Sequence, residues 1–159
     1  MPQPLSASAQ KVQQRLHTLD FSCQVVELPD STRTAQEAAQ AIGVQVGQIV
    51  KSLIFKARHS GKPLLALVSG TNRVNEKRLS DLVGEPIGKA DADFVRQHTG
   101  FAVGGVPPVG YTHPLETYID EDLLRYGDIW AAAGTPHAVF RLTPTDLQKM
   151  TVGRVVSIT

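Results

Sequence analysis

The segment Ile49-Val50-Lys51-Ser52-Leu53-Ile54-Phe55-Lys56-Ala57 is the strongest strand in the chain. It is rich in apolar and β-branched residues, which is typical of a buried strand. His59-Ser60-Gly61-Lys62 has the composition of a turn, and residues 63–68 then form the second strand of a hairpin. Since a hairpin pairs its strands antiparallel, we expect a sheet that is not purely parallel.

Helices and strands alternate on both sides of this hairpin. Helices are predicted at 6–19, 34–43, 75–83, 91–98, 121–126 and after Thr143, and strands at 25–28, 87–89, 101–103, 117–119, 129–132, 137–142 and 152–158. Thr34 and Glu37 have the spacing of a capping box at the start of one helix. We expect an α+β (mixed α/β) fold, a mixed sheet surrounded by helices, as a single domain over 1–159.

Composition limits the function. The chain has 159 residues, 42% of them hydrophobic, which suffices for one core. Cys23 is its only cysteine, and neither a metal-binding nor a phosphate-loop motif occurs, so we expect no disulfide, metal or cofactor. Apolar runs are too short for a membrane span, and Met1 to Gln10 does not have the pattern of a signal peptide. We therefore expect a soluble cytoplasmic protein without a membrane partner.

The net charge of +1 argues against wrapping of long nucleic acid such as DNA, because phosphate neutralisation needs many basic residues. It remains compatible with binding one end of an RNA. Basic residues crowd the middle of the chain, at Lys51, Lys56, Arg58, Lys62, Arg73, Lys77, Arg78 and Lys89. They are compatible with a local basic face and equally with a solvated surface of mixed charge.

Lys51 interrupts the apolar strand. Alternation places it on the same face as Ile49, Leu53 and Phe55. A buried ammonium needs water, a partner charge or a ligand. Lys51 is therefore either a lysine at the strand edge that extends into solvent, or a cation on the floor of a pocket that meets an oxyanion or phosphate.

Three loops carry further candidates. Gly104-Gly105-Val106-Pro107-Pro108-Val109-Gly110 follows the predicted strand 101–103 and is either a tight turn or a rigid ligand-binding loop. Gly134-Thr135-Pro136-His137 is either a turn with a surface histidine or a polar pocket wall. Ser31-Thr32-Arg33-Thr34 can line a site, although capping already explains Thr34.

Four stretches in this order resemble the family of YbaK and the prolyl-tRNA-synthetase-associated editing domains. They are 31–39 (STRTAQEAA), 50–55 (VKSLIF), 104–110 (GGVPPVG) and 133–137 (AGTPH). The resemblance covers nearly the whole chain from about Val25 onward. It implies a compact domain with a partly barrel-like mixed sheet and hydrolysis of the ester of mischarged tRNA, often free of the synthetase. The partner it implies is the acceptor end of tRNA, with an aminoacyl-tRNA synthetase as a further candidate.

The resemblance also implies roles for individual residues. Lys51 matches the essential lysine of the family, and Gly104 and Pro108 match the loop that holds the terminal adenosine. Gly134 and His137 lie in the segment that encloses the aminoacyl group. The motif Gly-Thr-Pro-His departs from that of the cysteine-specific members, so this substrate is not carried over.

Ester hydrolysis needs no metal, but it needs a placed water or ribose 2′-hydroxyl and donors for the oxyanion. The catalytic candidates are Lys51, Gly104 and Gly105, the glycines through their N–H groups. The substrate-binding candidates are Thr32, Ser52, Pro108, Gly134, Thr135 and His137; among these, Thr32, Ser52, Thr135 and His137 can bind a hydroxyl or thiol of a small amino acid such as alanine, serine, threonine or cysteine.

Three functions are compatible with these residues. The first is an aminoacyl-tRNA deacylase, the second a non-catalytic module that binds tRNA ends or nucleotides, and the third an unrelated small-molecule hydrolase. The first requires Lys51 at the acyl group. It predicts that Lys51, the 104–108 loop and His137 face one cavity.

Overall fold

The structure is a computed structural model and describes residues 5–111 and 113–159. Residues 1–4, which begin the segment considered above as a signal peptide, and residue 112 lie outside it. The described residues form eight strands and five α-helices. The strands are β1 (Val25–Glu27), β2 (Ile49–Ala57), β3 (Pro63–Ser69), β4 (Ile87–Lys89), β5 (Glu116–Asp120), β6 (Ile129–Ala132), β7 (Ala138–Leu142) and β8 (Arg154–Val156). The helices are α1 (Ala7–Thr18), α2 (Ala35–Ile42), α3 (Glu76–Val83), α4 (Ala92–Thr99) and α5 (Pro144–Thr151), with short 3₁₀ helices at Val46–Gln48 and Glu121–Arg125.

The strands form one mixed sheet in the order β1-β7-β6-β2-β3-β5-β8, with β4 paired to β2. The pairs β1–β7, β6–β7, β2–β3 and β2–β4 are antiparallel, whereas β2–β6, β3–β5 and β5–β8 are parallel. The predicted mixed α/β architecture is thus confirmed. The hairpin of β2 and β3 lies at the centre of the sheet and pairs continuously from Val50–Ser69 to Lys56–Pro63.

Both faces of β3 are buried. Leu65 and Leu67 pack into a core with α1 and α5, and the alternate residues Leu64, Ala66 and Val68 pack into a second core with α3. Because successive side chains of a strand point to opposite faces, this one strand anchors both layers of helices. A strand buried on both faces reads as a continuous apolar run, which is what the sequence shows at this position.

The other edge of β2 is only partly paired. β6 pairs there with Ile49 and Val50, and β4 pairs with 55–57. Between them, within the described residues, 51–53 have no strand partner on this edge. The central strand of the sheet therefore has a gap at the position of Lys51.

The helix boundaries follow the predicted local signals. The Thr34 hydroxyl accepts a hydrogen bond from the Glu37 N–H and donates one to the Glu37 carboxylate, both at 3.1 Å. Gly43 ends the same helix with φ +86°, a left-handed conformation that glycine adopts without steric cost. Asp91 and Thr143 cap the starts of α4 and α5, where their side chains accept hydrogen bonds from the N–H groups of Phe94 and Asp146.

The prediction of a strand at 101–103 is wrong. The structure has no strand there; Gly105 N–H donates to Ala102 O at 3.1 Å, which makes a turn. Phe101 is buried in the main core, but Val103 is 54% exposed. The short apolar run therefore resembles a strand in sequence only, because Phe101 packs into the core while Val103 lies at the surface. The closing strand is also shorter than predicted, since Val152 adopts φ +52° at the end of α5.

Candidate active site

Two adjoining cavities open at the gap in β2. The first, about 330 Å³, lies between β2, β6 and the start of α2. The second, about 690 Å³, lies between β2, the start of α3 and the segment that joins β4 to α4. The cavities share a wall made of residues 51–53 together with Val103, Gly104 and Val106. The strand that carries Lys51 and the glycine end of the predicted loop thus meet where the two cavities join.

Lys51 is half-buried in this shared wall. Its Nζ donates a hydrogen bond to the main-chain carbonyl of Asn72. Burial lowers the pKa of Lys51, the positive charge of Arg73 lowers it further, and the negative charge of Asp120 opposes both. Of the two predictions for this lysine, the arrangement favours a cation inside a pocket.

Gly104 lines both cavities together with Lys51 and has no room for a side chain. Its φ is +95°, and a Cβ placed there would lie 2.9 Å from the Cγ of Arg33. A side chain is therefore excluded by the backbone conformation and by a neighbour at once. The absence of a side chain lets the arginine stem pack over the loop and lets the main chain border both cavities.

Gly105 has a different environment. A Cβ there would lie 2.9 Å from the N and Cα of Thr135, and its carbonyl accepts a hydrogen bond from Gly134 N–H at 2.9 Å. Its own N–H is bound to Ala102 O, and Gly105 does not line either cavity. The predicted oxyanion donor at Gly105 is therefore corrected: this N–H is occupied, and the residue joins the two glycine loops.

Thr32 and Ser52 also lie at the first cavity. The N–H and hydroxyl of Thr32 both donate to Pro136 O, at 2.6 and 3.0 Å, which ties the segment before α2 to the loop at 134–137.

The backbone of Ser52 is directed by its place in β2. The carbonyl of Ile54, two residues further along the strand, accepts a hydrogen bond from Ala90 N–H at 3.4 Å on the edge that contains the gap. Because alternate residues of a strand direct their backbone groups to the same edge, the N–H and C=O of Ser52 point into the gap.

The structure does not bring the other candidates to Lys51. Pro108 is buried beside a separate cavity of about 150 Å³ with Arg15 and Tyr111. Gly134 and Thr135 lie behind Gly105 and line neither main cavity. The expectation that the whole 104–108 loop shares one cavity with Lys51 therefore holds for Gly104 and Val106 but not for the rest of the loop.

His137 is exposed and does not line either cavity. Its Nδ1 lies 3.1 Å from the carbonyl oxygen of Asp30, and its N–H donates to the Thr135 hydroxyl at 3.1 Å. These bonds hold the ring against the segment before α2 and not toward Lys51. The reading as a surface histidine in a turn fits this geometry.

The cavities also contain residues to which the sequence analysis gives no role. Arg33 lines the first cavity, and Arg73 and Lys89 line the second, with Glu76 as the one acidic side chain among the described lining residues. None of these cations forms a salt bridge within the described residues. A chain with almost no net charge therefore concentrates positive charge around one opening. The basic run was visible in the sequence, but only the fold selects which members converge.

Trp130 is a second missed residue. It pairs with Ile49 across β6 and β2 and lines the first cavity. Its indole Nε1 and the Ser52 hydroxyl are the two buried side-chain polar atoms without a hydrogen-bond partner in the described part of the chain. Buried polar groups are normally paired, and both exceptions belong to residues of the same cavity.

The described residues contain no cluster of three or more His, Cys, Asp or Glu side chains placed to hold a metal ion. Over the same residues, no helix combines the length and the apolar character needed to cross a bilayer.

The mixed fold and the pair of cavities around Lys51, bordered by Arg33, Arg73 and Lys89, define an α/β domain with positive charge gathered at one site. The comparisons with known proteins identify the family. The model of the aminoacyl-tRNA editing domain matches residues 29–150. This chain belongs to that family.

Relatives support the assignment. A solved structure described as "a putative trans-editing enzyme for prolyl tRNA synthetase" is 53% identical, with a TM-score of 0.93 over 98% of this chain and 99% of that one. The "Putative Cys-tRNA(Pro)/Cys-tRNA(Cys) deacylase EbsC" of Enterococcus faecalis is 26% identical over 127 residues, 79% of this chain and 77% of the relative. A proline–tRNA ligase of Maridesulfovibrio salexigens is 32% identical over 117 residues, which cover 72% of this chain and 20% of the ligase.

Proposed function

We propose that this protein is an aminoacyl-tRNA deacylase that hydrolyses the ester between a small amino acid and the terminal adenosine of a mischarged tRNA. The observation that carries the proposal is the position of Lys51. Lys51 lines both cavities where they meet, and so does Gly104, the one glycine of the 104–108 loop that borders both. If the ester bond lies at this junction, the aminoacyl group occupies one cavity and the adenosine occupies the other.

The two cavities differ as the two halves of such a substrate differ. The first is the smaller, and alkyl side chains such as Ala38, Ile49 and Val139 form much of its wall. This suits the side chain of a small amino acid. The second is about twice as large and carries Arg73 and Lys89, which suits an adenosine and the phosphate that precedes it.

The chemistry follows from the groups at the junction. A water oxygen attacks the ester carbonyl and forms the new C–O bond; the bond to the ribose oxygen breaks, and that oxygen leaves with a proton from the water. Negative charge develops on the carbonyl oxygen in between. The Lys51 ammonium and the Gly104 N–H are the donors we assign to it, because preorganised donors lower the barrier most where charge develops.

The base for the attacking water is assigned to the substrate. No Asp, Glu, His or Cys occurs among the described residues that line the first cavity. A nucleophile–base pair of the usual hydrolase kind is therefore missing from this part of the site. The neighbouring ribose 2′-hydroxyl of the tRNA is the group that we propose orients the water, with the protein supplying position and charge.

The amino acid is proposed as alanine, serine, threonine or cysteine. The cavity volume limits its size, and the hydroxyls of Thr32 and Ser52 are the polar groups available to a hydroxyl or thiol. The name of the Enterococcus faecalis relative supports cysteine within this set. We further propose that the protein acts in the cytoplasm on the acceptor end of tRNA. The ligase relative favours prolyl-tRNA synthetase as the synthetase it works beside.

The test is a deacylation panel of tRNAs charged with each of these amino acids. Lys51→Ala should lower kcat/KM by roughly 100-fold or more, as loss of one oxyanion donor does elsewhere, with an unchanged melting temperature. Lys56→Ala is the matched control, because this lysine of the same strand is exposed and lines neither cavity. Full activity of a folded Lys51→Ala variant would remove the proposed mechanism.

The same panel separates the competing functions. Binding of aminoacyl-tRNA without turnover of any substrate would select the non-catalytic module. Turnover of small esters with no preference for a tRNA end would select a general hydrolase.

A further inference from the structure

A set of hydrogen bonds lies directly behind Lys51. Its Nζ donates to the carbonyl oxygen of Asn72, a residue in the turn after β3. The Asn72 N–H closes that turn by donating to Ser69 O at 2.9 Å. The ammonium is thus held by a main-chain carbonyl. The position of that carbonyl depends on the contacts that hold Asn72 in place.

Two carboxylates fix Asn72. Its side-chain Nδ2 donates to Asp120 Oδ2 and to Asp122 Oδ2, each at 2.8 Å. Asp120 Oδ2 also accepts a hydrogen bond from Ser69 N–H at 3.1 Å. Because β3 and β5 pair in parallel, their ends lie side by side, and Asp120 at the end of β5 meets the turn that follows β3.

Asp120 does more than cap the 3₁₀ helix that follows it, because only one of its two carboxylate oxygens forms the cap. Its Oδ1 accepts from Asp122 N–H at 2.9 Å and so caps the 3₁₀ helix at Glu121–Arg125. Its Oδ2, however, is directed to the turn that carries Asn72. The residue is 0% exposed and forms no salt bridge within the described residues. A buried carboxylate is costly unless its hydrogen bonds and a nearby cation offset the loss of water.

We infer that Asp120 and Asn72 are positioning residues for Lys51. The buried carboxylate fixes the turn, and the carbonyl of the turn holds the ammonium at the junction of the two cavities. This inference rests on the proposed role of Lys51 in deacylation, and it adds to the reaction two residues that lie outside the lining of both cavities.

Charge provides a second line of support. The groups that face Lys51 or share its surroundings are Arg73, Glu76, Lys89, Asp120 and Asp122. Among them Arg73 lowers the pKa of Lys51 and Asp120 raises it. Removal of the Asp120 charge leaves burial and Arg73 unopposed, so the pKa of Lys51 should fall and less of it should be charged at alkaline pH.

The experiment uses Asp120→Asn and Asn72→Ala in the full chain. The pKa of Lys51 is measured by NMR titration of its side chain, assigned by comparison with Lys51→Arg, so this readout does not depend on activity. Asp120→Asn should lower that pKa, because the carboxylate charge that raises it is removed. Asn72→Ala keeps the acceptor carbonyl but releases the turn; it should lower kcat about tenfold with KM nearly unchanged, since misplacing a catalytic group affects the chemical step.

Asp128→Asn is the matched control, because that carboxylate pairs with Arg141 at 3.5 Å and lines neither cavity. It should leave the Lys51 titration unchanged. Should Asp120→Asn fail to fold, Asn72→Ala decides the question alone. A folded Asp120→Asn or Asn72→Ala variant with the wild-type pKa and kcat would overturn the inference. Absence of turnover by the wild-type protein would instead overturn the proposed function, while the titration still decides whether Asp120 acts on Lys51.

Discussion

The two strands of the central hairpin are neighbours in sequence and in the sheet, yet they have opposite roles. β3 has strand partners on both edges, and residues 64–68 are all 0% exposed. β2 matches it along one edge but is open at 51–53 on the other, where both cavities meet. One strand supplies the stability that lets the other keep a half-buried cation and an incomplete edge. Stability and activity should therefore respond to different substitutions only a few ångströms apart.

The largest expected effect comes from β3. Leu65→Ala removes a fully buried side chain from the main core and should lower the free energy of unfolding by about 3 kcal/mol through lost burial and a cavity. Urea unfolding measures this change. Leu124→Ala, at a leucine that is 45% exposed, is the control and should cost far less. Equal losses in the two variants would contradict the view of β3 as the structural strand.

Gly104→Ala should lower activity as well as stability. The left-handed backbone costs a residue with a Cβ about 1–2 kcal/mol, and the new methyl group meets the Arg33 stem at the shared wall of the cavities. We expect kcat/KM to fall roughly tenfold, because the loop must shift against Lys51.

Gly127→Ala is the matched control for this change, since a Cβ at Gly127 meets nothing within 4 Å. Deacylation rates and thermal melts of both variants decide the matter. A Gly104→Ala variant that deacylates at the wild-type rate would show that the loop does not need its close approach.

The open edge also predicts a pH dependence. Activity that needs the Lys51 ammonium should decline on the alkaline side, around a pKa below the ordinary lysine value of 10.5. Arg73→Gln removes a charge that lowers this pKa, so the pKa rises and the alkaline limb of kcat/KM moves to higher pH.

The profile is measured after subtraction of the hydroxide-driven loss of the ester. Arg78→Gln is the control, because Arg78 bonds to the carbonyl of Thr159 and lies outside both cavities. A shift toward lower pH in Arg73→Gln would contradict the assignment of the alkaline limb to Lys51.

The smallest effect should come from a pair of serines, one in each strand. The Ser69 hydroxyl in β3 donates to Gly47 O at 2.7 Å, so Ser69→Ala should cost about 1 kcal/mol of stability. The buried Ser52 hydroxyl in β2 has no partner among the described residues, and its removal should be nearly neutral for folding.

Ser52→Ala should instead change the relative rates on seryl-, threonyl-, cysteinyl- and alanyl-tRNA by a few-fold. Thermal melts and the substrate panel test the two halves of this prediction. A Ser52→Ala variant that loses as much stability as Ser69→Ala, with an unaltered substrate order, would place Ser52 among the structural residues.

The features that sequence could predict are local ones. The hairpin follows from apolar runs around a glycine turn, and the helix ends follow from caps such as Thr34 and Gly43. Lys51 was detectable because a charge in an apolar strand requires a partner. These signals depend on residues a few positions apart, so the sequence displays them without knowledge of the long-range pairing.

The features that sequence could not predict depend on long-range pairing. Asp120 reads as an ordinary residue between a strand and a helix, and only the parallel pairing of β5 with β3 buries it beside the turn behind Lys51. His137 and Pro108 lie in recognisable motifs, but the direction of each is set by packing against distant segments. Residues 101–103 show the same limit, since burial of Phe101 alone imitates a strand.

The gap in β2 bears on the tendency of the protein to aggregate at high concentration. Open strand edges invite pairing with other chains and hence aggregation. Here the free backbone spans only residues 51–53 and is closed at one end by β6 and at the other by β4. An incoming strand from another molecule finds too little length to bind, so the protein can leave main-chain groups accessible in mid-sheet without becoming a template for fibres.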